Sequence, residues 1–137
     1  MVINNFIDGI MQNIADVIDN DVKPYAEVVF GSDPPVNGIC MIQGPGAPTD
    51  THLDKGMVYR LPVVLNGKNT NQLTLLSDLT RIHAELTARK NYQDISTADC
   101  QVVNIATTSA PSIIGREQND QWICGSSLEV SFYWRKD

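Results

Sequence analysis

The chain has 137 residues with 42% hydrophobic content, which suits one globular domain, residues 1–137, built around a single core. Ten Lys and Arg against sixteen Asp and Glu give a net charge of -6. Such a surface repels phosphate backbones and anionic lipid, so the composition disfavours proteins that wrap nucleic acid or dock on membranes. The charge is compatible with a protein along which DNA moves without binding to it.

Neither a secretory signal nor a membrane span is visible in the sequence. The first eight residues lack a basic region and a cleavage pattern, and no apolar run approaches the roughly 20 residues that cross a bilayer. We therefore expect a soluble protein made in the cytoplasm, with no membrane partner. The three cysteines, Cys40, Cys100 and Cys124, form no C-x-x-C pair, and we expect reduced, mostly buried thiols.

The N-terminal segment has the pattern of an amphipathic helix, because apolar residues recur at helical spacing from Phe6 to Ile18 opposite polar ones. Asn4 or Asn5 can cap it, and the helix is expected to end near Asn20, ahead of Pro24. Two short strand candidates follow, Tyr25 to Phe30 and Gly38 to Gln43, which form either a hairpin or one strand and a loop. Residues 44–56 then lack periodicity, as functional arms often do.

Met57 to Leu65 alternates as a strand, with apolar residues on both faces in its middle. Pro62 cannot donate to a ladder, which predicts that this strand lies at an edge or a bulge. An exposed edge this apolar is a hazard in a monomer and a natural contact for a neighbouring subunit.

The second half of the chain predicts a helix followed by two strands. Asn66-Gly67 has turn chemistry, and a leucine-rich stripe predicts a helix from about Asn71 to Arg89. After a polar connection, Cys100 to Thr107 is a strand, and residues 109–120 are expected to be irregular. Gln121 to Arg135 is a long strand of period 2 with one apolar face, with a bend or bulge expected at Gly125.

No catalytic signature is present, since the sequence contains no nucleophile elbow, zinc-binding histidine pair, P-loop or calcium loop. His52, between Asp50 and Asp54, could belong to a metal site, but no second ligand cluster accompanies it, so we interpret it as an exposed loop residue. His83 is interpreted as a packed histidine on the border of the second helix. We expect no catalytic residue, no cofactor and no metal. A small enzyme that uses scattered carboxylates and His52 is the remote alternative.

The chain resembles the tail terminator (tail completion) proteins of long-tailed bacteriophages, a group that includes proteins named minor capsid proteins. The resemblance covers nearly the whole chain and is diffuse, without an invariant signature. It is carried by the helix opening Phe-Ile-Asp-Gly-Ile, the central strand Val58 to Leu65, the leucine-rich second helix, and the passage from Ile113 to Trp122 that leads into the strand Leu128 to Trp134.

The resemblance implies an α+β fold in which one mixed, mainly antiparallel sheet of four to five strands is flanked by two helices, in the order helix, strands, helix, strands. It also implies a homo-oligomeric ring, expected to be a hexamer, at the head-proximal end of a phage tail. Such a ring stops polymerisation of the tail-tube protein and presents a face to the head-tail connector proteins, while DNA passes through its lumen without specific binding. The alternative within this class is another neck, minor capsid or tail-tube component.

The family supplies no motif for its contact surfaces, so we assign them on physical grounds. The C-terminal aromatic pair beside a basic tip is expected to lie near a subunit or partner contact. The candidate subunit interface comprises Tyr59, Leu61, Pro62, Val64, Tyr133 and Trp134. The candidate arm loops contain Pro45, His52, Asp54, Ile113 and Arg116.

Overall fold

The computed structural model describes residues 5–44, 47–51 and 56–135. Its helices are α1 (Asn5–Val17), α2 (Gln72–Leu86) and the short α3 (Tyr92–Ile95). A π-helical turn at Ile18–Val22 continues α1, and a 3-10 turn at Arg89–Asn91 precedes α3. The Asn71 side chain caps α2 by accepting a 3.0 Å hydrogen bond from the Thr74 N–H. Both long helices therefore form where the apolar periodicity predicts them.

Six strands form one mixed sheet: β1 (Val28–Phe30), β2 (Ile39–Gln43), β3 (Ala47–Thr51), β4 (Gly56–Asn69), β5 (Cys100–Arg116) and β6 (Trp122–Arg135). Five of them follow the order β1-β2-β4-β6-β5, and β3 pairs with β4 next to the end of β2. β1 and β2 run parallel, and the other described pairs are antiparallel. The predicted α+β class, element order and mainly antiparallel sheet are confirmed.

The helices form one layer against one face of the sheet. α1 contacts α3, the π turn contacts α2, and α2 contacts β4, β5 and β6. The helix stripes and the alternate residues of the central strands meet in a single core. Its fully buried members on β4 and β6 are Leu61, Val63, Leu65, Leu128, Val130 and Phe132.

Hydrogen bonds connect the segment from Val22 to Tyr25, at the end of the π turn, to α2. Asp78 accepts a 2.9 Å hydrogen bond from the Tyr25 N–H, and the Arg81 guanidinium donates to the Val22 carbonyl. Asp19 accepts a 3.1 Å hydrogen bond from the Val28 N–H, at the start of β1. These bonds place β1 beside β2 and define one edge of the sheet.

Of the two positions predicted for the strand around Pro62, an edge or a bulge, the edge is wrong, because β4 has β6 along one side and β2 and β3 along the other. The Pro62 carbonyl accepts a 2.7 Å hydrogen bond from the Gly44 N–H, just after β2 ends. The backbone N and O of a strand residue point to the same side, so the missing N–H of Pro62 faces the gap between β2 and β3. No bond with β6 is lost.

Three other local expectations are also wrong. The pair of short strands is parallel, joined by the connection Gly31–Gly38, and is neither a hairpin nor a strand beside a loop. Residues 47–51 of the expected loop form β3. Asn66 and Gly67 do not turn the chain, because β4 continues to Asn69 and Gly67 pairs with Cys124 on β6.

The segment expected to be irregular, residues 109–120, mostly belongs to β5, and only its end forms the turn to β6. The pairing of β5 with β6 is irregular, because its register shifts at four places between Val102 and Gly115. Each shift marks a β-bulge or irregularity on the edge strand. β6 itself keeps an unbroken register with β4, so the expected bulge at Gly125 is absent from that pair.

Candidate functional site and assembly surfaces

The residues predicted for a subunit interface are divided between the two faces of the sheet. Leu61 is fully buried under the helices, and Tyr59 stacks on Phe132 of the core, with ring centroids 5.4 Å apart. Trp134 is half-buried and packs against the same core. These three residues lie on the helix-covered face, where Leu61 is fully buried and Tyr59 and Trp134 are partly exposed, and their role in a subunit interface stays a prediction.

Pro62, Val64 and Tyr133 alternate with the core residues and therefore lie on the other face, where each is partly exposed. Between them, Arg60 approaches Glu129 across the β4–β6 pair at 4.0 Å. No helix in the described part of the chain packs on this face. It is an accessible surface of mixed apolar and polar character.

The predicted arm residues fall partly outside the described residues, where Pro45, His52 and Asp54 lie. Ile113 and Arg116 lie in the bulged half of β5. Arg116 bonds Asp120 at 2.7 Å and lies over the Trp122 ring, 5.1 Å from its centroid. The arm role of these residues stays a prediction.

Exposed large hydrophobic side chains concentrate at the two edges of the sheet. Among the described residues there are seven, and six of them lie on β1, β2, the connection between them, or β5. We call Val29, Phe30, Val36 and Ile42, with Asp8 of the adjacent α1, the β1 margin. We call Val103 and Ile114, with Arg116, the β5 margin. The seventh, Leu73, is in the first turn of α2.

An open groove of about 510 Å³ runs along the β1 margin, between α1 and the first two strands. Phe30 and Ile42 are its exposed apolar residues, Met11 and Met41 line it but are buried, and Asp8, Gln12 and Gln43 add polar groups. An exposed aromatic side chain beside an exposed branched one forms an apolar patch of the kind that a protein partner covers. The groove is therefore suited to packing against another apolar surface.

A buried lysine joins the loops at one end of the sheet, a feature that the sequence analysis missed. The Lys68 side chain, 7% exposed, lies 3.2 Å from a carboxylate oxygen of Asp33 and 2.9 Å from one of Glu117. The hydrogen bond to Glu117 contributes most to raising the pKa of Lys68 above its ordinary value. One cation thus links the β1–β2 connection to the β5–β6 turn.

A second link at the same end involves Asn37 and Gln121. The Asn37 N–H donates to the Gln121 Oε1 at 2.8 Å, and the Gln121 Nε2 donates to the Asn37 Oδ1 at 3.1 Å. The Thr70 N–H donates to the same Asn37 oxygen at 3.3 Å. The three segments at this end are therefore held in fixed relative positions, although they are far apart in the sequence.

The remaining titratable groups in the described part of the chain form no reactive cluster. No group of three His, Cys, Asp or Glu side chains there could hold a metal ion. His83 is buried, its Nδ1 lies 2.9 Å from the Thr107 hydroxyl, and burial lowers its pKa. Burial raises the pKa of the Cys100 and Cys124 thiols to about 11, as expected for inert, packed cysteines.

None of the helices in the described part of the chain is long and apolar enough to cross a bilayer. No protein-family model and no curated protein sequence matches the chain.

The fold, in contrast, is similar to that of a known virion chain. That chain belongs to a solved structure described as "Virion of native gene transfer agent (GTA) particle", with a TM-score of 0.51 and 12% sequence identity. The similarity covers 90% of this chain and 91% of the other. At this level of identity it establishes a shared fold, which extends over nearly the full length of both chains.

Proposed function

We propose that this chain is a structural protein of a phage-like virion, and specifically a tail terminator. Copies of the chain assemble into a ring, expected to be a hexamer, at the head-proximal end of a tail. The ring stops polymerisation of the tail-tube protein and offers a face to the head-tail connector proteins. The observation that carries this proposal is the fold shared with the gene transfer agent virion chain along nearly the whole length of both chains.

The surface chemistry of the described residues supports an assembly role. Apolar side chains are exposed along both outer edges of one sheet, where a neighbouring subunit would cover them. The loops at one end of the sheet are braced by Lys68 and by the Asn37–Gln121 pair, so that end offers a fixed surface to a partner. A preformed surface lowers the ordering cost of association.

The net charge fits a ring through which DNA passes. Each copy adds a charge of -6, and carboxylates that face the lumen would repel the phosphate backbone and let DNA slide. Lysine substitutions at lumen-facing carboxylates are therefore expected to slow DNA ejection from assembled particles. Ejection at an unchanged rate would contradict this role of the charge.

The ring is tested with the purified protein by light scattering after size exclusion and by negative-stain imaging. A tail terminator forms single rings of uniform mass. A tail-tube component, the alternative within the same class, forms long stacked tubes. A chain that remains monomeric at high concentration would contradict the proposal.

The terminating activity requires a separate test with tails that lack a terminator. Added protein is expected to bind one end of these tails, to fix their length and to make them competent for joining to heads. Tails that continue to grow in the presence of preformed rings would identify the chain as another neck component.

A further inference from the structure

The positions of the exposed hydrophobic residues indicate how neighbouring copies contact each other in the ring, an inference that rests on the proposed function. β1 and β5 are the two outermost strands of the sheet. Phe30 on the first is 53% exposed and Ile114 on the second is 66% exposed. The central strands β4 and β6 contribute none of the exposed large hydrophobics among the described residues. The apolar surface is therefore located on opposite sides of one subunit.

The sheet register places these two surfaces at overlapping levels along the strands. Val28 pairs with Ile39, Ile39 with Gly67, Gly67 with Cys124, and Cys124 with Ile113. Val29 and Ile114 each lie one residue from this row, on opposite sides of it, because β1 and β5 run in opposite directions. Rotation about an axis does not change the height of a residue along that axis. In a ring whose axis follows the strands, the two margins of neighbouring copies therefore overlap in height, with Phe30 and Ile114 offset by about three residues, or about 10 Å.

The charges of the two margins are complementary. Residues 5–43, which include the β1 margin, contain six carboxylate side chains and one lysine. β5 contains no carboxylate and ends at Arg116. The exposed Arg89 and Lys90 are anchored next to β5, because the Tyr92 hydroxyl that follows them accepts a 3.0 Å hydrogen bond from the Ile105 N–H. A carboxylate-rich margin against a strand without carboxylates favours head-to-tail contact over contact between two acidic margins.

Neither edge is suited to extending the sheet into a neighbouring copy. β1 has three residues, and β5 is interrupted by four register shifts. Short and bulged edges prevent open-ended strand pairing. The contact must therefore be formed mainly by side chains.

We propose that the β5 margin of one copy packs against the β1 margin and groove of the next copy, and that this heterologous contact closes the ring. Ile114 packs against the exposed apolar side chains of the β1 margin, and Arg116 faces Asp8 and the acidic residues near it. Each subunit uses two different surfaces, so the contact repeats around the ring until the ring closes.

The contact is tested with Phe30→Glu and Ile114→Glu. Each substitution places a carboxylate at an exposed position in one of the two margins. Each variant alone is expected to remain monomeric at protein concentrations at least tenfold above those at which the wild type assembles. Leu73→Glu is the matched control, because Leu73 is 76% exposed but lies in neither margin, and it is expected to assemble as the wild type does. Circular dichroism and thermal unfolding check that every variant is folded.

An equimolar mixture of the two variants distinguishes a head-to-tail contact from other geometries. The Phe30→Glu copy keeps an intact β5 margin, and the Ile114→Glu copy keeps an intact β1 margin. The mixture is therefore expected to form a species of twice the monomer mass, and no ring, by mass photometry. Two monomer populations that do not combine would overturn the proposal, and so would ring assembly by either single variant.

The failure of this contact and the failure of the proposed function give different results. If the wild type and both variants all form rings, the contact is refuted and the proposed ring is not. A wild-type protein that never assembles refutes the ring, and with it the contact.

Discussion

Lys68 is the residue on which the loops at one end of the sheet depend. Its side chain is almost fully buried, and its two carboxylate partners belong to segments that precede and follow it at long distances in the sequence. A buried cation that loses a partner keeps its desolvation cost. Removing a partner of Lys68 is therefore expected to lower the free energy of unfolding more than removing an exposed ion pair of similar geometry.

Glu117→Gln tests this expectation, because it removes the charge of the closer partner and retains the shape. The free energy of unfolding is expected to fall by about 1–2 kcal/mol, measured by urea denaturation. Asp120→Asn is the matched control: it weakens the exposed Arg116–Asp120 pair and should cost less than about 1 kcal/mol. Equal losses in the two variants would show that burial of Lys68 adds nothing.

His83 is the second residue with a local consequence, because its Nε2 is buried and has no hydrogen-bond partner. Burial depresses the folded-state pKa below the ordinary value of 6.5. The unfolded chain therefore binds a proton first as the pH falls, and stability present above pH 6.5 is lost as the pH falls from there towards the folded-state pKa.

His83→Met is expected to remove this pH dependence. In the wild type, the free energy of unfolding should fall below pH 6.5 by at most about 1.4 kcal/mol per pH unit, whereas the variant should be nearly flat until carboxylates titrate. His52→Gln, which removes the other imidazole, serves as the control and should behave as the wild type does. If His83→Met keeps the wild-type dependence of the free energy of unfolding on pH, a group other than His83 causes that dependence.

At the scale of elements, Gly67 controls how closely α2 and Tyr25 pack on β4. A Cβ there would lie 2.9 Å from both the Leu75 Cδ1 and the Tyr25 hydroxyl, whereas a Cβ at Gly115 on β5 would meet nothing within 4 Å. Both glycines lie in paired strands. The two positions therefore separate the effect of close packing from that of strand propensity.

Gly67→Ala is expected to lower the free energy of unfolding by about 1–3 kcal/mol, because the helix or the tyrosine must move. Gly115→Ala should be neutral or stabilising by about 0.5 kcal/mol, since alanine loses less conformational entropy in a strand. Thermal or urea denaturation measures both. Equal effects at the two glycines would contradict the role assigned to Gly67.

The helices were predictable because their apolar periodicity is local, and the element order followed from it. The position of β4 in the sheet was not predictable, because strand neighbours depend on contacts between distant segments. Pro62 indicated an edge, whereas its missing N–H faces the gap between β2 and β3. The bulges of β5 reset the alternation of faces, so residues 109–116 resembled a loop. The ion pairs of Lys68 join residues that no sequence spacing connects.

For the whole molecule, stability is expected to be highest in the middle of the sheet and lowest at its β1 edge. β4 and β6 are paired along both sides, whereas β1 has three residues and pairs with one strand among the described residues. Amide hydrogen exchange of the monomeric protein should therefore be slowest in β4 and β6, and fastest among the strands in β1. Equal protection of β1 and β4 would indicate that the sheet opens as a single unit.

The register shifts of β5 also make this strand tolerant of changes in length. Cys100 pairs with Trp134 and Arg116 with Trp122, so seventeen β5 residues cover a span of thirteen on β6. Deletion of Ala110 can be absorbed by the loss of one bulge, and the variant is expected to fold with a slightly lower melting temperature. Deletion of Ser127 in β6 would reverse the facing of every residue on one side of the cut, and no folded protein is expected. Insertions and deletions among natural variants of this chain should therefore collect in β5.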